Sequence, residues 1–156
     1  MSNSTAKQEH KQYIRDKRSP VPKSAAVSST MSANKGKNTK PELTLRRLLW
    51  SSGVRGYRLN WKKVPGRPDL AFPGKKLAVF VHGCFWHRCP ICTKALPKHN
   101  TEFWRNKFYR NVVRDRSKAD QLEQMGWKVI TVWECQLKEA PQKIVENILQ
   151  EIATKT

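Results

Sequence analysis

Hydrophobic positions along this chain change period several times, and each change marks an element. In NTKPELTLRRLLWSSG the side chains of Leu45, Leu48 and Leu49 fall on one helical face. Thr39 stands where an N-cap belongs, with Glu42 three residues on, Pro41 in the first turn and Gly53 as the stop. GYRLNW alternates as a half-buried strand does, and KKVPGRPD breaks it with two prolines and a glycine. DLAF-PGKK-LAVFV then reads as a hairpin closed by a Pro-Gly turn, and LAVFV is apolar throughout, the pattern of a strand covered on both faces. TEFWRNKFYRNVVRDRSKADQLEQMG places Phe103, Phe108, Val112, Leu122 and Met125 at partly helical spacing and stops at Gly126. WKVITVW is a further strand and PQKIVENILQEI a closing amphipathic helix. The order helix, three strands, helix, strand, helix predicts an α/β or α+β sandwich with a mixed central sheet flanked by helices.

Residues 1 to about 36 break this regularity: Lys, Ser and Ala recur there with two prolines and no sustained apolar period. Such a composition predicts a flexible basic arm, followed by one domain over residues 37–156. With 38% hydrophobic residues in 156, the chain can bury one moderate core, and two full domains would be cramped. The formal charge of +19 far exceeds what solubility requires and makes nucleic acid the leading partner. Ribosomal-type structural binding and binding to an anionic membrane surface are compatible with the same charge. No apolar run approaches the ~20 residues of a membrane span, and the N-terminus lacks the apolar stretch of a signal peptide. A cytoplasmic, nucleoid-associated protein is expected, with its cysteines reduced.

Three of the four cysteines, Cys84, Cys89 and Cys92, lie within nine positions of HGCFWHRCPIC. Three thiols this close can converge on one ion, and zinc wants four ligands in a tetrahedron. Cys135, just past the strand WKVITVW, is one candidate for the fourth, and His87 inside the loop is the other. CPIC alone also looks like a redox pair, but no helix start is evident there, and an iron–sulfur cluster also uses four thiolates. A closed four-cysteine zinc site has no open position for water, so such an ion would be structural.

Cleavage of a phosphodiester by water needs a hard cation on the phosphate and a base for the proton. Asp69 follows Pro68 at the head of a strand, which would hold its carboxylate rigidly as a ligand for Mg²⁺. Asp after Pro at such a place is also ordinary turn chemistry. Folding DLAF against LAVFV brings Asp69 near the far end of the second strand, where Val81 has a backbone carbonyl and His82 and His87 have imidazoles able to accept a proton at neutral pH. His82 and His87 could instead brace the loop or, for His87, bind zinc.

The combination PGRPD, VFVHGCFWHRCPIC, EFWRNKFYRNVVRD and GWKVITVWEC, in this order, resembles the very-short-patch repair endonucleases of bacteria, over roughly residues 30 to 137. The resemblance implies a restriction-endonuclease-like core of the PD-(D/E)xK class without the usual acid-x-Lys, since Phe80-Val81-His82 stands where that motif would be. It implies a DNA endonuclease that nicks 5′ of the thymine in T:G mispairs arising from 5-methylcytosine deamination, leaving a 5′-phosphate for polymerase and ligase. By matching position, Asp69 and the Val81 carbonyl would bind two Mg²⁺ ions, His87 would be the general base, His82 would join the phosphate network, and Glu42 would reach it from the first helix. Glu42 retains its reading as part of the helix cap. Cys84, Cys89, Cys92 and Cys135 would hold one structural Zn²⁺. Phe85 and Trp86 match an aromatic wedge inserted beside the mispair, whose weakened stacking lowers the cost of opening the step. Lys107 and Asn111, four apart on one helix face, match residues that contact the mispaired bases. A monomer is expected, with mismatch-repair proteins as possible partners. Two departures stand out: Cys89 occupies a position where family members often have histidine, and Val81 one where some have a hydroxyl. The remaining readings are a restriction-like or structure-specific endonuclease acting on paired sites, and a noncatalytic zinc-stabilised DNA-binding protein.

Overall fold

The computed structural model describes residues 20–154. Most of the basic arm, residues 1–19, lies outside them; its described part contains a short helix, α1, Ala25–Ser32, capped by Ser24 and without a buried residue.

Helix α2, Lys40–Ser51, begins as its sequence requires: the Thr39 hydroxyl accepts from the Glu42 N–H, Pro41 sits in the first turn, and Gly53 leaves the helix with φ +83°. A four-stranded sheet follows in the order β1-β2-β3-β4, formed by Arg58–Leu59, Leu70–Phe72, Leu77–His82 and Lys128–Trp133. β1 is shorter than the alternation of GYRLNW predicts, because the chain leaves the ladder at Asn60, whose φ is +46°. β2 and β3 form the predicted hairpin, pairing Leu70 with Val79 and Phe72 with Leu77 around a 3₁₀ turn at Pro73–Lys75. Helix α3, Thr101–Gln124, carries the chain to β4, which lies parallel to β3. The mixed sheet is thus antiparallel on one side and parallel on the other. Two short elements escaped the hydrophobic pattern, α1 and α4, Glu134–Glu139, each too short for a periodic signal. Helix α5, Pro141–Thr154, closes the fold.

Alternate residues of β3 face opposite layers. Leu77, Val79 and Val81 pack with Leu45 and Leu49 of α2, Leu137 of α4 and Val145 and Ile148 of α5. Ala78 and Phe80 face Leu122 of α3, Trp127, Val64 and Trp61. Both faces of LAVFV are therefore covered, which is why that run is apolar throughout. On α3, Phe108 and Leu122 are buried, whereas Val112 and, just past the helix, Met125 are 41% and 47% exposed, so the apolar spacing overstates the buried face of this helix. Ile148→Ala is expected to destabilise the protein by about 2–5 kcal/mol through the cavity it leaves. Leu149→Ala, at a side chain 37% exposed, should cost clearly less, and denaturant unfolding of both variants measures the difference.

Candidate active site

The hairpin and the parallel pair bring their chemistry to the same end of the sheet. Asp69 precedes β2, and its carboxylate Oδ2 accepts the backbone N–H of Val81, near the end of β3, at 2.7 Å. Burial, reinforced by the nearby Glu42 charge, raises the Asp69 pKa from 3.8 to about 6, against the Val81 hydrogen bond and the more distant His87 and Arg46. Glu42 is itself buried, with its oxygens accepting from the Asn38 N–H at 2.8 Å, the Thr39 hydroxyl at 2.9 Å and the Arg46 guanidinium at 3.3 Å. It therefore fills the capping role read from its position and also places a negative charge near Asp69.

One strand end further on, His82 and His87 stack face to face, ring centroids 4.0 Å apart and 6° from parallel. Burial, with His87 beside it, lowers the His82 pKa to about 4, so His82 is neutral at physiological pH. His87 Nδ1 lies 2.5 Å from Asp115 Oδ2 on α3. With Nδ1 donating to that carboxylate, the lone pair of His87 is on Nε2, where a base needs it. The Asp115 pKa is lowered: burial opposes this, but the His87 hydrogen bond and charge prevail. Asp115 is the functional residue that sequence reasoning passed over. Its signal was present: Lys107, Asn111 and Asp115 succeed one another at intervals of four along one face of α3.

His82, His87 and Asp115 have their potential ligand atoms within 4.8 Å of one another and form one candidate metal group. The stacked rings argue against that use, because an imidazole binds metal through a lone pair in its own plane, and two parallel planes do not converge on one point. The donor set at Asp69 fits a hard cation better. Two carboxylates, half-buried Asp69 and buried Glu42, lie close enough for one to raise the other, and a divalent ion there would relieve that repulsion.

Cys84, Cys89, Cys92 and Cys135 form the second group, all four sulfurs within 4.8 Å of one another. Cys89 Sγ and Cys135 Sγ are 3.7 Å apart; four thiolates about 2.3 Å from one zinc would be about 3.8 Å apart. Cys135 therefore joins the loop cysteines, whereas His87 is engaged by Asp115. Burial pushes the Cys84 thiol up to about 12. For Cys89 burial acts in the same direction, but the N–H groups of Cys92 and Ile91 outweigh it and lower its pKa. The cluster could hold a metal, whose charge would let all four sulfurs ionise together.

Phe85 and Trp86 of this loop are half-buried. Phe85 packs edge-on to Phe108 at 5.0 Å and to Trp86 at 5.1 Å, and Trp86 lies 5.8 Å from Trp104. Lys107 Nζ sits 5.3 Å from the ring centres of both tryptophans, and Asn111 Nδ2 donates to the Trp86 carbonyl at 3.1 Å. Lys107 and Asn111 thus brace the aromatic loop in the free protein. Trp104 and Phe108, which sequence reasoning did not select for the site, complete the aromatic group. A cleft lined by Asp69, His82, His87, Trp86, Lys107 and Asp115 runs beside these residues.

A mixed sheet with an acid and two histidines at one strand end, facing a basic cleft, defines a nuclease with a restriction-endonuclease-like core. Comparison with known proteins gives the family. Residues 20–93 match the family DNA mismatch endonuclease Vsr. The chain is 43% identical to the type II nicking enzyme V.XorIIP of Xanthomonas oryzae pv. oryzae over 117 residues, covering 74% of this chain and 85% of that enzyme. It is 45% identical to the type II nicking enzyme V.NmeAIP of Neisseria meningitidis over 102 residues, covering 65% and 72% of the two chains. To the DNA mismatch endonuclease Vsr of Escherichia coli K12 it is 36% identical over 127 residues, 81% of this chain and 80% of the other. The chain belongs to the Vsr family of DNA endonucleases. Among the described residues, no helix is long and apolar enough to cross a membrane.

The raised pKa of Asp69 has a sign that can be checked. In the metal-free protein the neutral carboxyl is favoured by folding, so ionisation costs nothing below about pH 3.8, costs progressively more up to about pH 6, and a constant amount above. Without added divalent cation, Asp69→Asn should therefore melt higher than the unsubstituted protein at about pH 7.5, with a gap that narrows as pH falls towards about 5. A gap that widens on acidification would contradict the assigned direction.

Proposed function

We propose that this protein is a Mg²⁺-dependent endonuclease that nicks duplex DNA 5′ of the thymine in a T:G mispair. The observation that carries the reading is the meeting of Asp69, His82 and the His87–Asp115 pair at one sheet end, beside the half-buried rings of Phe85 and Trp86. The name of the Escherichia coli relative, a mismatch endonuclease, supports the substrate, while relatives named type II nicking enzymes support single-strand cleavage.

In the reaction, Asp69 and the Val81 carbonyl would hold Mg²⁺, which when bound supplies charge neutralisation at the scissile phosphate. His87 Nε2 takes the proton from the attacking water, and Asp115 stabilises the resulting imidazolium through Nδ1. Attack at phosphorus breaks the bond to the 3′ oxygen, leaving a 3′-hydroxyl and a 5′-phosphate. His82, neutral at this pH, presents a ring nitrogen without adding charge. Glu42 sustains the negative field at Asp69. Phe85 and Trp86 enter the base stack where the mispair has weakened it, a deformation of a few kcal/mol per step that a paired site resists more. Lys107 and Asn111, at the same loop, reach the mispaired bases. The four cysteines hold one structural Zn²⁺ that keeps the aromatic loop stiff. The protein works as a monomer in the bacterial cytoplasm, close to the nucleoid, with mismatch-repair proteins as candidate partners.

On end-labelled duplexes bearing T:G in random flanks, nicking 5′ of T is expected with Mg²⁺ and not without it. His87→Ala should lower the rate by about 10²–10⁴-fold with T:G binding kept, and Asp115→Asn by a smaller factor. Equal cleavage of T:A pools would instead establish a restriction-like enzyme, and binding without any cleavage a noncatalytic protein. Elemental analysis should find one zinc per chain, and Cys135→Ser should lose it together with nicking; iron in its place would refute the zinc assignment.

A further inference from the structure

The loop joining β1 to β2 is held in an unusual shape immediately before Asp69. Its base is closed past the end of the ladder by two backbone bonds, the Asn60 N–H donating to the Asp69 carbonyl at 3.2 Å and the Trp61 N–H to the Pro68 carbonyl at 3.3 Å. Within it, Asn60, Gly66 and Arg67 all adopt left-handed backbone, at φ +46°, +79° and +48°. Asparagine tolerates this conformation and glycine is indifferent to it, but a residue with a long side chain is disfavoured there, and such strain collects at functional sites.

Packing explains the shape. A Cβ on Gly66 would stand 3.0 Å from the Lys118 Cβ of α3 and 3.0 Å from the Phe80 ring. At Gly66 the loop is pressed against α3 and β3 with little room even for a Cβ, and this contact sets the backbone just before Arg67 against the turn of α3 that carries Lys118. Both side chains line the cleft that holds Asp69. Their place relative to the histidines follows from two elements. Lys118 is three residues past Asp115 on the same helix face, and Phe80 is two residues before His82 on the same sheet face, rings 5.9 Å apart. One such step along a strand is about 6.6 Å. Among the described residues, neither Arg67 nor Lys118 meets a carboxylate or any hydrogen-bond acceptor through its side chain.

We propose that Arg67 and Lys118 form a phosphate-binding site that grips the nicked strand one or two nucleotides from the scissile phosphate. The proposal rests on the nicking reading above and goes beyond it by naming what sets the strand's register. Successive phosphates of one strand are about 3.4 Å apart along the helix axis, so an anion site one strand step from the histidines meets a near neighbour of the reacting phosphate. The Arg67 fork takes two phosphate oxygens in fixed orientation, and Lys118 adds a point charge. A strained loop locked by Gly66 is a rigid mount, and rigidity is what a register device needs.

The test uses the full chain, a T:G duplex and the variants Arg67→Ala, Lys118→Ala, their double variant and Gly66→Ala, each checked for unchanged melting. Binding is followed against salt without divalent cation, and phosphates of the nicked strand are ethylated one at a time. Each single cation variant should lower the slope of log affinity against log salt by about one, with the preference for T:G over T:A unchanged. Ethylation of one phosphate within two of the nick should weaken the unsubstituted protein and have no effect on the double variant. Gly66→Ala keeps both cations but displaces their mount, and it should also weaken binding. A salt slope and an ethylation pattern identical in all the proteins would overturn the site, and unsubstituted-level binding by Gly66→Ala would overturn the role of the loop. Nicking of T:G duplex by the unsubstituted protein is scored separately, so a failed clamp and a failed nicking reading give different results.

Discussion

The parallel pairing of β3 with β4 is the constraint on which the rest of the molecule depends. Its register runs from Leu77 opposite Lys128 to His82 opposite Trp133, and it places two strand ends side by side pointing the same way. Two residues past each end stand Cys84 and Cys135, and the Cys135 N–H donates to Cys84 Sγ at 3.4 Å. An antiparallel pair would have sent these cysteines to opposite edges of the sheet. The same ends carry His82 and begin the loop that returns His87, so the thiol cluster and the histidines share one foundation. Outside the C-terminal ends of parallel strands is also where open sheets leave a crevice for ligands.

Helix α3 is the second determinant, because it is the crossover that parallel pairing requires. Its C-terminal half buries Leu122 against the sheet, and its N-terminal half meets the loop through Phe108. One face of the helix carries Lys107, Asp115 and Lys118 along the cleft, and Asn111 on the same face donates to the Trp86 carbonyl. A single rigid element thereby orients the His87 ring, supports Trp86 and abuts Gly66. Electrostatics at this end of the sheet are divided: burial, with the Glu42 charge behind it, raises the Asp69 pKa, a mostly buried imidazole remains neutral at His82, and Asp115 pairs with His87. Acid, neutral and paired groups within one cleft follow from differences in burial more than from differences in residue type.

Much of this was legible in the sequence because it depends on local rules. The α2 start follows from Thr39, Pro41 and Glu42, the hairpin from Pro73-Gly74 between apolar runs, and the doubly covered β3 from five apolar residues in succession. The cysteine spacing pointed to a metal group and left the fourth ligand open between Cys135 and His87. The motif order marked out the family. α1 and α4 were not legible, since eight and six residues are too few for a helical period to stand out from chance.

What the sequence by itself determined, then, was the set of elements, the charge and the stock of reactive side chains, all of which follow from neighbours a few residues apart. Only the tertiary structure decided between partners. His87 and Asp115 are 28 residues apart, Cys84 and Cys135 51 apart, and Gly66 packs against Lys118 of a helix far along the chain. Periodicity says which face of a helix or strand a residue occupies but not which distant face it will meet. That choice follows from strand register and from the burial of two apolar layers, which are properties of the whole chain.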